Sequence, residues 1–70
     1  MRVRIVIMPR EGLLDPEARA IEEMLRQNGV EVDNLKVGKI VELELKNPDE
    51  AKLIAERFLI NPVIEEFSIE

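Results

Sequence analysis

Two Asx-Pro pairs, Asp15-Pro16 and Asn47-Pro48, constrain this chain most, because each dictates where a helix begins. The Asp or Asn side chain accepts from the free N–H groups of a first turn. A proline at the first helical position forfeits no hydrogen bond there. Behind Asp15-Pro16, Ala18, Ile21, Met24 and Leu25 recur on one face, and Gly29 supplies a left-handed stop. Glu22, Glu23 and Arg26 make the solvated opposite face. In the second helix Asn47 caps and Glu50 reaches back as in a capping box. Ala51, Ile54, Ala55 and Phe58 form its stripe, widened by Leu53 and Leu59. Pro62 holds Asn61 out of helical geometry, so this helix ends just before it.

The rest of the chain reads as strand. Arg2 to Met8 alternates, with Val3, Ile5 and Ile7 on one face, until Pro9-Arg10-Glu11-Gly12 breaks it. Val30 to Val37 is rich in β-formers but interrupted by Asp33-Asn34, which places a strand near Leu35 to Val37. Gly38-Lys39 then forms a tight turn. Ile40 to Lys46 follows, with Val41, Leu43 and Leu45 inward and Glu42, Glu44 and Lys46 outward. Val63 to Ile69 is a last strand, with Val63, Phe67 and Ile69 on one face. The order β-α-β-β-α-β predicts a ferredoxin-like α+β fold over residues 1–70, an antiparallel sheet with two helices on one face. Val6, Met8 and Ile40 fall on the open side of that sheet, a common dimerisation surface.

The side-chain inventory excludes most chemistry. There is no His, Cys, Tyr, Trp or Thr and a single Ser, Ser68. The usual nucleophiles, the usual proton shuttle and the soft metal ligands are therefore missing. The net charge of −5 repels phosphate backbones, and Phe58 and Phe67 are the only rings available for base stacking, so nucleic acid is not an expected partner. No apolar run nears the ~20 residues of a membrane span. Nothing at Met1-Arg2-Val3-Arg4 begins a signal peptide, and with no disulfides the cytoplasm is the default location. An abundance of Glu, Lys, Arg and Ile suits a thermophile, although Asn28-Gly29, a deamidation-prone pair, runs against it.

Size adds a constraint. Roughly 4,000 Å² of apolar burial supplies ~100 kcal/mol. Ordering the chain costs about the same, ~100 kcal/mol. With no metal ligands or disulfides, self-association is the natural source of further stability.

Local candidates are few. Glu65 and Glu66 are adjacent in a strand and point to opposite faces, so they cannot share a substrate. Glu42 and Glu44 share a face with Lys46, which suits a charged surface better than a metal site. Arg10 and Gly12 lie in a loop that often meets small ligands in this fold, but Asp15 nearby repels an anion. Lys39 could reach a phosphate, although the glycine content falls far short of a phosphate loop. Asn61-Pro62-Val63-Ile64-Glu65 is the most specific string, an apolar pair leading into an acidic terminal strand able to pair with a neighbouring chain.

Taken in order, three groups of residues resemble the PurS family, the small subunit of phosphoribosylformylglycinamidine (FGAM) synthase. They are Leu14-Asp15-Pro16 with Ala20-Ile21; Val37-Gly38-Lys39 with Glu42-Leu43; and Leu59-Ile60-Asn61-Pro62-Val63-Ile64-Glu65. The resemblance spans nearly the whole chain. Ala18 stands where the family often has Gly, Lys36 where it often has Arg, and the second helix is shorter. Lys does not reproduce the bidentate fork of Arg.

The resemblance implies a non-catalytic subunit, without cofactor or metal of its own, of a complex in de novo purine biosynthesis. That complex converts formylglycinamide ribonucleotide, glutamine and ATP to the amidine, glutamate, ADP and phosphate. Its partners would be itself, as a homodimer or tetramer, a glutaminase subunit, and a large synthetase that uses ATP and magnesium. Its role would be to bridge the last two and support ammonia transfer. Arg10, Gly12, Lys39, Asn61, Pro62, Val63 and Glu65 are the candidate loop or interface residues. An ACT-like small-molecule-sensing module, using the Arg10 to Gly12 loop, is the alternative on the same element order. An acylphosphatase-type enzyme would need a Gly-rich anion loop that is absent.

Overall fold

A computed structural model describes all residues, Met1–Glu70. Three strands, β1 (Arg2–Pro9), β2 (Lys39–Glu44) and β3 (Glu65–Ile69), form one antiparallel sheet in the order β2-β1-β3. The α+β class, an antiparallel sheet with two helices, is as expected.

The central strand builds the core. Val3, Ile5 and Ile7 alternate along β1 and are buried. The register sets Leu43 and Val41 of β2 opposite Val3 and Ile5, and Ile69 and Phe67 of β3 opposite Ile5 and Ile7. Ala51 and Ala55 close over this face. Two alanines let a helix backbone approach the sheet, and each β-branched side chain so covered contributes about 1.5–3 kcal/mol.

Helix α1 (Pro16–Gln27) starts as the sequence dictates. Asp15 Oδ1 accepts from the N–H of Glu17 at 2.9 Å and of Ala18 at 3.3 Å, with Pro16 in the first turn. Helix α2 is composite: a 3₁₀ turn over Pro48–Glu50, an α-helical turn over Ala51–Ile54 and a π turn over Ala55–Leu59. Asn47 Oδ1 accepts from Asp49 N–H, while Glu50 bonds to Asn47 through its backbone N–H and not through a side-chain reach-back.

The tertiary structure corrects four local expectations. Leu35 to Val37 joins no sheet, and Gly38-Lys39 is not a turn, since Gly38 only leads into β2 and Lys39 is its first residue. Asn34 takes a left-handed conformation, φ 56°, which bends the segment away from strand geometry. Phe58 is 77% exposed instead of lining the stripe of α2, and Leu59 packs on the core in its place. The cause is the π turn: Ile60 N–H donates to Ala55 C=O, five residues back, which rotates the last side chains out of α-helical phase. Val63 lies in a turn before β3, 78% exposed, and does not share the inward face of Phe67.

The molecule is elongated, 47 × 24 × 14 Å, with a Cα radius of gyration of 15.0 Å. A compact chain of this length has about 11 Å. Ala18 is the one buried residue of α1, and no α1 side chain belongs to the sheet core. No helix is long and apolar enough to cross a membrane.

Candidate functional site

The Asn61–Glu65 string forms a closed turn. Asn61 C=O accepts from the N–H groups of Ile64 at 3.1 Å and Glu65 at 2.8 Å. Asn61 Oδ1 accepts from Val63 N–H at 3.1 Å, and Glu65 Oε1 accepts from Asn61 N–H at 2.9 Å. Asn and Glu side chains thus satisfy the backbone of a segment that no strand or helix serves. Val63 stands exposed within this turn.

Arg10 fastens the turn from across the sheet end. Its backbone N–H donates to Ile64 C=O at 2.9 Å and its Nε to Pro62 C=O at 2.9 Å. A guanidinium nitrogen lies 3.9 Å from a Glu66 carboxylate oxygen. The structure therefore brings Arg10, Asn61, Pro62 and Glu65 together, and Arg10 is engaged by protein partners. Gly12 lies apart, in the turn after β1 with φ +81°. Glu11 pairs with Lys36, tying this loop to the unpaired segment before β2.

Lys39 and Glu65 meet instead at a groove of about 510 Å³ walled by Ile7, Leu13, Leu14 and Val37. Asp15 and Glu17 also face it, so its rim carries more acid than base. An apolar floor with a mixed charged rim suits contact with another polypeptide.

The open sheet face is the second surface. Arg2 pairs with Glu44 at 3.8 Å and Arg4 with Glu42 at 3.1 Å, all substantially exposed, so each pair contributes at most about 1 kcal/mol. Beyond them Val6 lies opposite Ile40 on one side and Ser68 on the other, with Met8 next along β1. Alternation along β1 made these residues legible. Phe58 and Leu14, both largely exposed, carried no sequence signal as surface residues.

Comparison with known proteins decides what such surfaces belong to. The family model for PurS, phosphoribosylformylglycinamidine (FGAM) synthase, matches residues 2–70. This chain belongs to the PurS family. The PurS subunit of FGAM synthase from Synechocystis sp. is 35% identical, over 96% of this chain and 74% of that protein. The B. subtilis PurS structure superposes with a TM-score of 0.85 at 29% identity, covering 99% of this chain and 94% of that one. A PurS-family fold of the same kind occurs in the PurLQS structure from Thermotoga maritima, with a TM-score of 0.81, 33% identity, and 99% and 93% coverage. The chain is thus a subunit of FGAM synthase, the ligase complex of purine biosynthesis.

Proposed function

We propose that this chain is the non-catalytic bridge of the complex. It self-associates and holds a glutaminase and an ATP-dependent synthetase in a fixed relation, so that ammonia released from glutamine reaches formylglycinamide ribonucleotide. ATP and magnesium belong to the synthetase in this reading, and the site of action is the cytoplasm. The advantage is physical: ammonia in bulk water is diluted and protonated, whereas two sites held together keep its effective concentration high.

The observation that carries the reading is excess surface. The chain exposes 5562 Å². A compact monomer of this mass exposes roughly 4,500 Å². The surplus, about 1,100 Å², exceeds the ~800 Å² that one partner contributes to a standard interface. A chain with six buried residues out of 70 is built to be completed by others. Self-association draws on the open face around Val6, Met8 and Ile40. Partner contact draws on the exposed Val63 of the Asn61–Glu65 turn, the groove between Lys39 and Glu65, and Phe58.

Size-exclusion chromatography with light scattering, followed by mixing with the glutaminase and synthetase, tests this. A homo-oligomer that brings both enzymes into one peak, with nucleotide and glutamine present, is the expected result. A strict monomer at micromolar concentration, or two enzymes that couple as well without it, would sink the proposal.

A further inference from the structure

The pair Asn28-Gly29 sits where α1 ends, and hydrogen bonds engage both the Gly29 backbone nitrogen and the Asn28 side-chain nitrogen. Gly29 N–H donates to Arg26 C=O at 3.1 Å, and the next residue, Val30, donates to Leu25 C=O at 2.9 Å. Asn28 Nδ2 donates to Met24 C=O at 2.7 Å. Gly29 adopts φ +80°, the left-handed conformation that closes a helix end and that a side chain would strain. The side-chain amide of Asn28 is thus turned back along the helix while the Gly29 nitrogen is committed to the cap.

We propose that Asn28-Gly29 is a spontaneous deamidation site held closed by the α1 cap, so that opening of the last helical turn starts an irreversible covalent change. In the open state the deprotonated Gly29 nitrogen attacks Asn28 Cγ. A new N–C bond forms, the Cγ–Nδ2 bond breaks, and the amide nitrogen leaves as ammonia, carrying the proton that Gly29 gave up. Water then opens the cyclic imide at either carbonyl, leaving aspartate or isoaspartate. No redox partner is involved.

The helix end cannot reform as it was. A carboxylate at position 28 has no proton to give Met24 C=O and brings negative charge to the negative end of the helix dipole. Isoaspartate also lengthens the backbone by one carbon and breaks the spacing of the cap. The last turn is poorly anchored. Met24 is exposed, Leu25 half-buried, and the one buried residue of α1, Ala18, lies in its first turn. Such ends open at low free energy and are held by few contacts.

The test follows isoaspartate and aspartate at position 28 by peptide mapping of the full chain at mildly alkaline pH. The folded chain is compared with the chain in urea and with a synthetic peptide spanning residues 24–32. Folded protein is expected to react at least ~tenfold more slowly than the peptide, with urea removing the difference. Leu25→Ala and Asp15→Ala, which loosen α1 from its two ends, are expected to accelerate the reaction. Equal rates in folded chain and peptide would overturn the proposal. So would wild-type rates in both variants when hydrogen exchange shows α1 opened. Asn28→Asp is expected to lose helical circular dichroism, and full retention of it would refute the claim that the change is disruptive.

Discussion

Gly38 passes so close to Ile7 that a Cβ on it would lie 2.5 Å from the Ile7 carbonyl oxygen and would also collide with the Met8 side chain. The position needs glycine for approach and not for φ. It lets the chain cross against β1 just before pairing begins at Ile7–Lys39. Gly38→Ala is expected to destabilise the fold by about 1–3 kcal/mol, the usual cost of overpacking. A urea midpoint unchanged from wild type would show that the crossing relaxes freely.

Ile5 and Phe58 bracket the range of core sensitivity. Ile5 is fully buried at the centre of the sheet. Truncating it to Ala should cost about 2–5 kcal/mol by the cavity it leaves. Phe58→Ala should alter the stability of the isolated chain by no more than about 0.5 kcal/mol, because the ring is solvated. The same variant should lower partner capture in the reconstituted complex, as an exposed aromatic anchor does. A large stability loss in Phe58→Ala without a binding defect would reassign the ring to the fold.

Arg10 should act as a fastener of the Asn61–Glu65 turn. Arg10→Ala removes the Nε bond to Pro62 C=O, at a cost of about 0.5–1.5 kcal/mol. Arg10→Lys should not restore it, since a lysine lacks the planar fork that spans Pro62 and Glu66. Amide exchange at Val63 to Glu65 should quicken in both variants. Unchanged protection there would place the turn's stability in Asn61 and Glu65 alone.

The open sheet face is expected to be where copies meet. Ile40→Lys and Val6→Lys each put a charge on the apolar part of that face, where the two residues lie opposite one another. Either should shift the mass seen by light scattering toward monomer while leaving circular dichroism near wild type. An oligomer unaffected by both would move self-association to α1 or the groove.

What the chain determines by itself is local. Asp15-Pro16 and Asn47-Pro48 mark both helix starts, Gly29 stops α1, and the alternation of Val3, Ile5 and Ile7 orients the sheet. Caps, left-handed stops and side-chain alternation depend on residues within a few positions of one another, so they survive being read in one dimension. Tertiary structure alone decided that Leu35 to Val37 stays unpaired, that a π turn sends Phe58 outward and Leu59 inward, and that Lys39 and Glu65 face one groove. Each depends on which backbone groups distant segments offer, and on a helix phase set by one hydrogen bond from Ile60 to Ala55.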